Sequence, residues 1–153
     1  MGFNQRFPKG PMRTALDSSV ILDVITDDPS WGYASEKSLC EASALGQLVI
    51  CECVLAEIVP ALGESDIQSF LSDWKISFEP STVKSGTLAG EMYRLYLGRK
   101  GMAKRVLPDF LIGAHAAVHT FRLLARDRGY YRDYFKGLVL VEPGAQKLGT
   151  KPT

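Results

Sequence analysis

Five short apolar runs punctuate the chain and most constrain its fold: "TALD", "QLVIC", "KISFEP", "RLLAR" and "LVLVEP". They mostly lack the strict alternation of half-exposed strands, as in a sheet covered on both faces. Helical patterns fill the intervals. "SSVILDVITDDP" reads as a helix stopped at Asp28-Pro29. Ser30 can then cap a helix from Trp31 to Leu45, with Gly46 at its end. "ECVLAEIVPALG" and "SDIQSFLSDW" follow, and Pro60 should kink or split the first. "STVKSGTLAGEMYRLYLG" offers Ser81 as a cap, and "PDFLIGAHAAVHTF" opens with a first-turn proline. A brief helix fits "YYRDYF". The order β-α-α-β-α-α-β-α-α-β-β predicts an α/β fold, a three-layer α/β/α sandwich on a mostly parallel sheet.

The 153 residues suit one domain with one core. Residues 1–13 read as a flexible tail, 14–142 as the domain and 143–153 as a second tail. An apolar fraction of 46% excludes a disordered chain. No apolar run nears the roughly 20 residues of a membrane span, and the N-terminal residues lack a secretory signal's apolar core. The formal net charge of +1 gives no global pull on nucleic acid, so a basic surface has to be local. Cys40, Cys51 and Cys53 are too few for a disulfide scaffold, and Cys51-Glu52-Cys53 lacks the further ligands that zinc requires. Buried thiols in a reducing cytosol, hence a cytoplasmic protein, are the expectation.

In a parallel sheet, ligands bind beyond the carboxyl ends of the strands. Four acids fall towards that edge. Asp17 follows the first strand, Glu57 lies in the helix after the second, Asp109 opens a helix behind Pro108, and Asp127 follows "RLLAR". Singly, each has an ordinary explanation as a cap, a solvated helix residue, a dipole partner or a turn acid. Jointly, clustered carboxylates repel, and a divalent cation relieves that repulsion. Magnesium and manganese prefer such oxygen ligands, and a bound metal can generate hydroxide for phosphodiester cleavage. Asp23, Asp27 and Asp28 read as lying elsewhere. His115 reads as a packed, hydrogen-bonded residue, and His119 as complementing a helix C-terminus.

Arg99, Lys100, Lys104 and Arg105 read as one short loop, "GRKGMAKRVLPD", just before Asp109, while Arg126, Arg128 and Arg132 surround Asp127. Together they predict a cationic rim that steers a phosphate backbone to the acids. Tyr130, Tyr131 and Tyr134 could stack on unpaired bases, although packing on the core is the stronger expectation for at least two.

"ALDSSVILDV", "VLAEIV", "LPDFLIGAHA" and "ARDRGYYRDYF" resemble the four acidic motifs of PIN-domain ribonucleases, most closely the VapC-type toxins of toxin–antitoxin pairs. The resemblance spans residues 14–142. It implies a magnesium- or manganese-dependent endoribonuclease, usually dimeric, silenced by a cognate antitoxin. Asp17, Glu57, Asp109 and Asp127 match the four acids and are the implied catalytic and metal-binding residues. Ala125 departs from the family, which often has Ser or Thr two residues before the fourth acid. The alternative is a catalytically weak PIN fold that only binds RNA or serves assembly. A receiver domain lacks its mid-sheet aspartate here, and a dehalogenase-type phosphatase lacks the second acid of Asp-x-Asp.

Overall fold

The computed structural model describes residues 11–100, 106–126 and 129–144, without the side chain of Lys100. The chain begins with β1 (Met12–Leu16), α1 (Ser18–Ile25), α2 (Gly32–Leu45) and β2 (Gly46–Ile50). It continues through α3 (Glu52–Leu62), α4 (Glu64–Asp73), β3 (Ile76–Phe78) and α5 (Val83–Lys100). It closes with α6 (Leu107–His119), β4 (Arg122–Leu124), α7 (Tyr130–Tyr134) and β5 (Val139–Val141). This is the expected order, including the brief last helix.

The sheet runs β3-β2-β1-β4-β5, and every neighbouring pair is parallel. From β1 the chain steps outward to β2 and β3. It then returns across the sheet through α5 and α6 to β4, on the other side of β1. Right-handed crossovers in opposite directions put helices on both faces. That reversal opens a crevice between the carboxyl ends of β1 and β4, the position where open α/β sheets hold ligands. Leu16 is in register with Leu124, and the Asp17 N–H donates to the Leu124 carbonyl at 2.9 Å. The inner ends of β1, β2 and β4 are fully buried: Leu16, Val49, Ile50, Leu123 and Leu124 sit with Val20, Ile21, Leu39, Ile58 and Phe110. Burial on both faces explains why these strands do not alternate.

Several local expectations are corrected. β1 starts at Met12, two residues inside the stretch read as a tail. Asp28, not Ser30, supplies the side chain before α2: its Oδ1 accepts from the Ser30 and Trp31 N–H groups at 2.9 and 2.8 Å. Pro60 does not split α3, which runs through it to Leu62. Thr82 rather than Ser81 precedes α5 with a reciprocal cap. The Thr82 N–H donates to Ser85 Oγ at 2.9 Å, and the Ser85 N–H to Thr82 Oγ1 at 3.3 Å. Arg99 and Lys100 extend α5 instead of lying in a loop, since nothing in "LYLGRK" outweighs the helix's momentum except a single glycine. Cys51 is buried as expected, whereas Cys40 is exposed on α2.

Candidate active site at the crevice

Asp17 is the best-defined residue of the crevice. Its backbone is extended (φ −78°, ψ 151°), and it caps α1, accepting from the Ser19 N–H at 3.2 Å. It is also 95% withdrawn from solvent, at 5% exposure, deeper than a cap requires. The Ser19 hydroxyl donates to the same oxygen, Oδ2. The Tyr131 hydroxyl donates to Oδ1 at 2.7 Å. A carboxylate offers about four lone-pair directions. Among the described residues, three donors leave Asp17 with about one open direction.

Tyr131 reports where the other acids lie. Burial above all, and then the charges of Asp17 and Asp109, the bond to Asp17 and the charge of Glu57, hold its phenol well above the ordinary range. The charges of three of the four sequence-predicted acids thus act on this hydroxyl, and only Asp17 is seen to touch it. Asp109 is half-buried in the first turn of α6, and Glu57 is exposed on α3. The two helices touch. Asp127, the fourth acid, lies outside the described residues, as do Lys104, Arg105 and Arg128.

The carboxylates of Asp17, Asp109 and Glu57 are hard oxygen donors, the kind that suits a divalent cation such as magnesium or manganese. Among the described residues, no group of three or more His, Cys, Asp or Glu side chains is close enough together to cage a metal. An ion here would be held by one or two carboxylates and water, which is how magnesium is commonly bound.

The basic residues divide. Arg99 is exposed, with its guanidinium carbon 5.3 Å from the centre of the Tyr134 ring. Arg132 pairs with Glu142 at 2.8 Å. Arg126, read as part of a phosphate rim, forks onto the buried Asp23 instead. Its Nε and a terminal N–H donate to the two carboxylate oxygens at 2.8 and 2.7 Å. Ser35 Oγ donates to Asp23 at 2.6 Å, and the guanidinium lies 5.1 Å from the Trp31 ring centre. Asp23 therefore serves α1, α2 and the end of β4 rather than the crevice. The physical reason for the departure of Arg126 is that a carboxylate at 3% exposure demands a countercharge.

The tyrosines pack on the core. Tyr130 and Tyr134 surround Phe110 at centroid distances of 5.9 and 5.1 Å, and both also meet Tyr96. His115 is buried, with Nε2 donating to the Glu79 carbonyl at 2.7 Å. Burial, and then the stacked His119, lowers its pKa. His119 Nδ1 lies 3.1 Å from Glu79 Oε1.

Sequence reasoning missed two site residues. Ser19 was visible as Asp-x-Ser at a helix start, a pattern that places a hydroxyl beside the acid. Its Oγ also accepts from the Arg126 N–H at 3.3 Å, so it supports the segment where Ala125 lacks a hydroxyl. Tyr131 had no signal distinguishing it from its neighbours.

No protein-family description and no curated protein sequence matches the chain significantly. Solved structures do match. A chain of VapBC2 from Rickettsia felis, bound to a DNA fragment from its promoter, superposes with a TM-score of 0.65 at 22% identity. The match covers 86% of this chain and 98% of that one. The chain has a PIN-like fold. DNA-bound VapBC from Salmonella typhimurium gives a TM-score of 0.63 at 14% identity, and VapBC-1 from nontypeable Haemophilus influenzae 0.63 at 16%. Both matches cover 86% of this chain and 98% of theirs. The resemblance seen in the sequence is thus borne out at the level of the PIN-like fold. No helix among the described residues is long and apolar enough to cross a membrane.

Proposed function

We propose that the protein is a metal-dependent endoribonuclease, the toxin of a toxin–antitoxin pair. The observation that carries this reading is the buried carboxylate of Asp17, held by Ser19 and Tyr131 in the crevice where the strand order of the PIN-like sheet reverses. Asp17 and Asp109 would hold magnesium or manganese, with Glu57 binding the ion or orienting water and Asp127 completing the set. The ion would supply a hydroxide nucleophile at neutral pH and stabilise charge on the leaving oxygen. The chain's own contribution is to fix Asp17 through Ser19 and Tyr131 and to keep the crevice acidic. Arg99, Lys100, Lys104, Arg105 and Arg128 would line the approach of the RNA backbone, with Arg126 serving the fold. The likeness to chains of VapBC complexes supports a cognate antitoxin as partner, and a homodimer is part of the same reading.

One observation favours a second reading, a PIN fold that binds RNA without cutting it: the described residues alone form no three-ligand cage. Structured RNA incubated with the protein in manganese, and then in EDTA, separates the two. The nuclease reading expects cleavage in manganese, none in EDTA, and none from folded Asp17→Asn or Asp109→Asn, which keep shape but lose the charge. Binding without cleavage, or full cleavage by either variant, would discard it.

A further inference from the structure

We propose that Tyr131 is a positioning residue for the metal site: its hydroxyl holds the carboxylate of Asp17 in one orientation and leaves one direction free for a divalent cation. This rests on the nuclease reading above and concerns a residue outside the four acids.

The placement is rigid at both ends. On the Asp17 side, Ser19 fixes Oδ2 with two donors and Tyr131 fixes Oδ1 with one. The carboxylate can turn neither way without breaking a buried hydrogen bond. On the tyrosine side, the ring is 4% exposed and lies against α6. Gly113 makes that approach possible. A Cβ there would come within 2.5 Å of Phe135 and 3.0 Å of Tyr131. Gly129, in the left-handed region at φ +103°, turns the chain into α7 one residue before Tyr130. The segment is therefore built to bring this one side chain onto the first acid.

The bond's polarity also matters. A carboxylate only accepts, so the phenol 2.7 Å from Oδ1 is the donor of this bond. A donated hydrogen bond to a prospective ligand sets the ligand's direction and partly neutralises it while no cation is present. Outer partners of this kind typically change metal affinity by about 10–100-fold when removed.

The test is manganese binding by the full chain, followed by calorimetry and by the spin-resonance signal of free manganese, without RNA. Tyr131→Phe keeps the ring and removes only the hydroxyl. The expected result is a manganese dissociation constant about 10–100-fold weaker than the parent's. A purely structural role predicts a lower melting temperature in EDTA but unchanged manganese affinity of the folded protein. In an Asp17→Asn background, Tyr131→Phe should make no further difference to residual binding. A parent that binds manganese and a Tyr131→Phe variant that binds it equally would overturn the inference and leave the nuclease reading standing. A parent that binds no manganese would remove both. Should Tyr131→Phe fold poorly, Ser19→Ala tests the other side of the same carboxylate. An unchanged affinity there would equally overturn the claim that Asp17 must be held.

Discussion

Arg126→Met tests whether this arginine belongs to the fold or to the RNA track. In the native protein its guanidinium meets both oxygens of Asp23, a carboxylate 3% exposed, at 2.8 and 2.7 Å. Methionine matches the length of the stem and can still lie on Trp31, so the substitution isolates the charge. Removing one partner of a buried pair typically costs about 3–5 kcal/mol, because the other charge is left uncompensated. The arginine side chain is 34% exposed, so water relieves part of that cost and the lower end applies. About 3 kcal/mol in a domain of this size corresponds to a melting temperature lower by roughly 6–12 °C. Thermal and urea unfolding in EDTA, read by circular dichroism, measures it without metal or RNA. Adding Asp23→Asn removes the stranded charge while keeping an acceptor for Ser35, so the double variant should recover a substantial part of the loss. The double-mutant cycle then gives the coupling directly. A melting temperature within about 2 °C of the parent, well short of the loss expected for a buried pair, would refute the pairing. A marked fall in the salt dependence of RNA binding by Arg126→Met would also return the residue to the substrate track.

Replacing Lys100, Lys104 and Arg105 together by Gln should weaken RNA binding and lower its log–log salt slope by about 0.7 for each lost phosphate contact. Titration at several salt concentrations checks this. Manganese should raise the parent's melting temperature by binding only the folded form. On the metal-site reading, Asp109→Asn should raise the metal-free melting temperature, by removing one of the carboxylate charges of the site, and shrink the gain from manganese. Fluorimetric melts in EDTA and across a manganese series read both effects. At Glu79, burial raises the pKa, but Arg13 and His119 outweigh it and hold the folded value below the ordinary one. A depressed folded value means stability that is present above the unfolded pKa and lost as pH falls through the folded one. Glu79→Gln should therefore flatten the acid limb of a plot of melting temperature against pH.

Element order was legible in the sequence because each element carries a local signal: a short apolar run, a proline, a glycine, a change of period. Caps were less legible. Ser30 and Ser81 are as good in composition as the residues that do the capping, but tertiary packing sets where each helix enters. Asp17 at the crevice was legible because the strand-end rule translates sequence position into spatial position. Asp23 and Arg126 were not, since their pairing spans 103 residues and both are ordinary surface types. Tyr131 shows the same limit: three tyrosines lie within five positions, and only the packing of α7 on α6 selects the one that reaches Asp17.

The hydrogen bond between Tyr131 and Asp17 also bears on how the protein is made. The two residues are 114 positions apart, and β4, the strand beside β1, lies nearly as far along the chain. Synthesis proceeds at about 5–20 residues per second, so several seconds or more separate the emergence of the first acid from that of the hydroxyl that orients it. A growing chain holds β1, β2 and β3 early, yet it has no crevice until β4 fills the other side of β1. Whatever this crevice does, it cannot form until the chain has been made through Tyr131, 114 residues after Asp17.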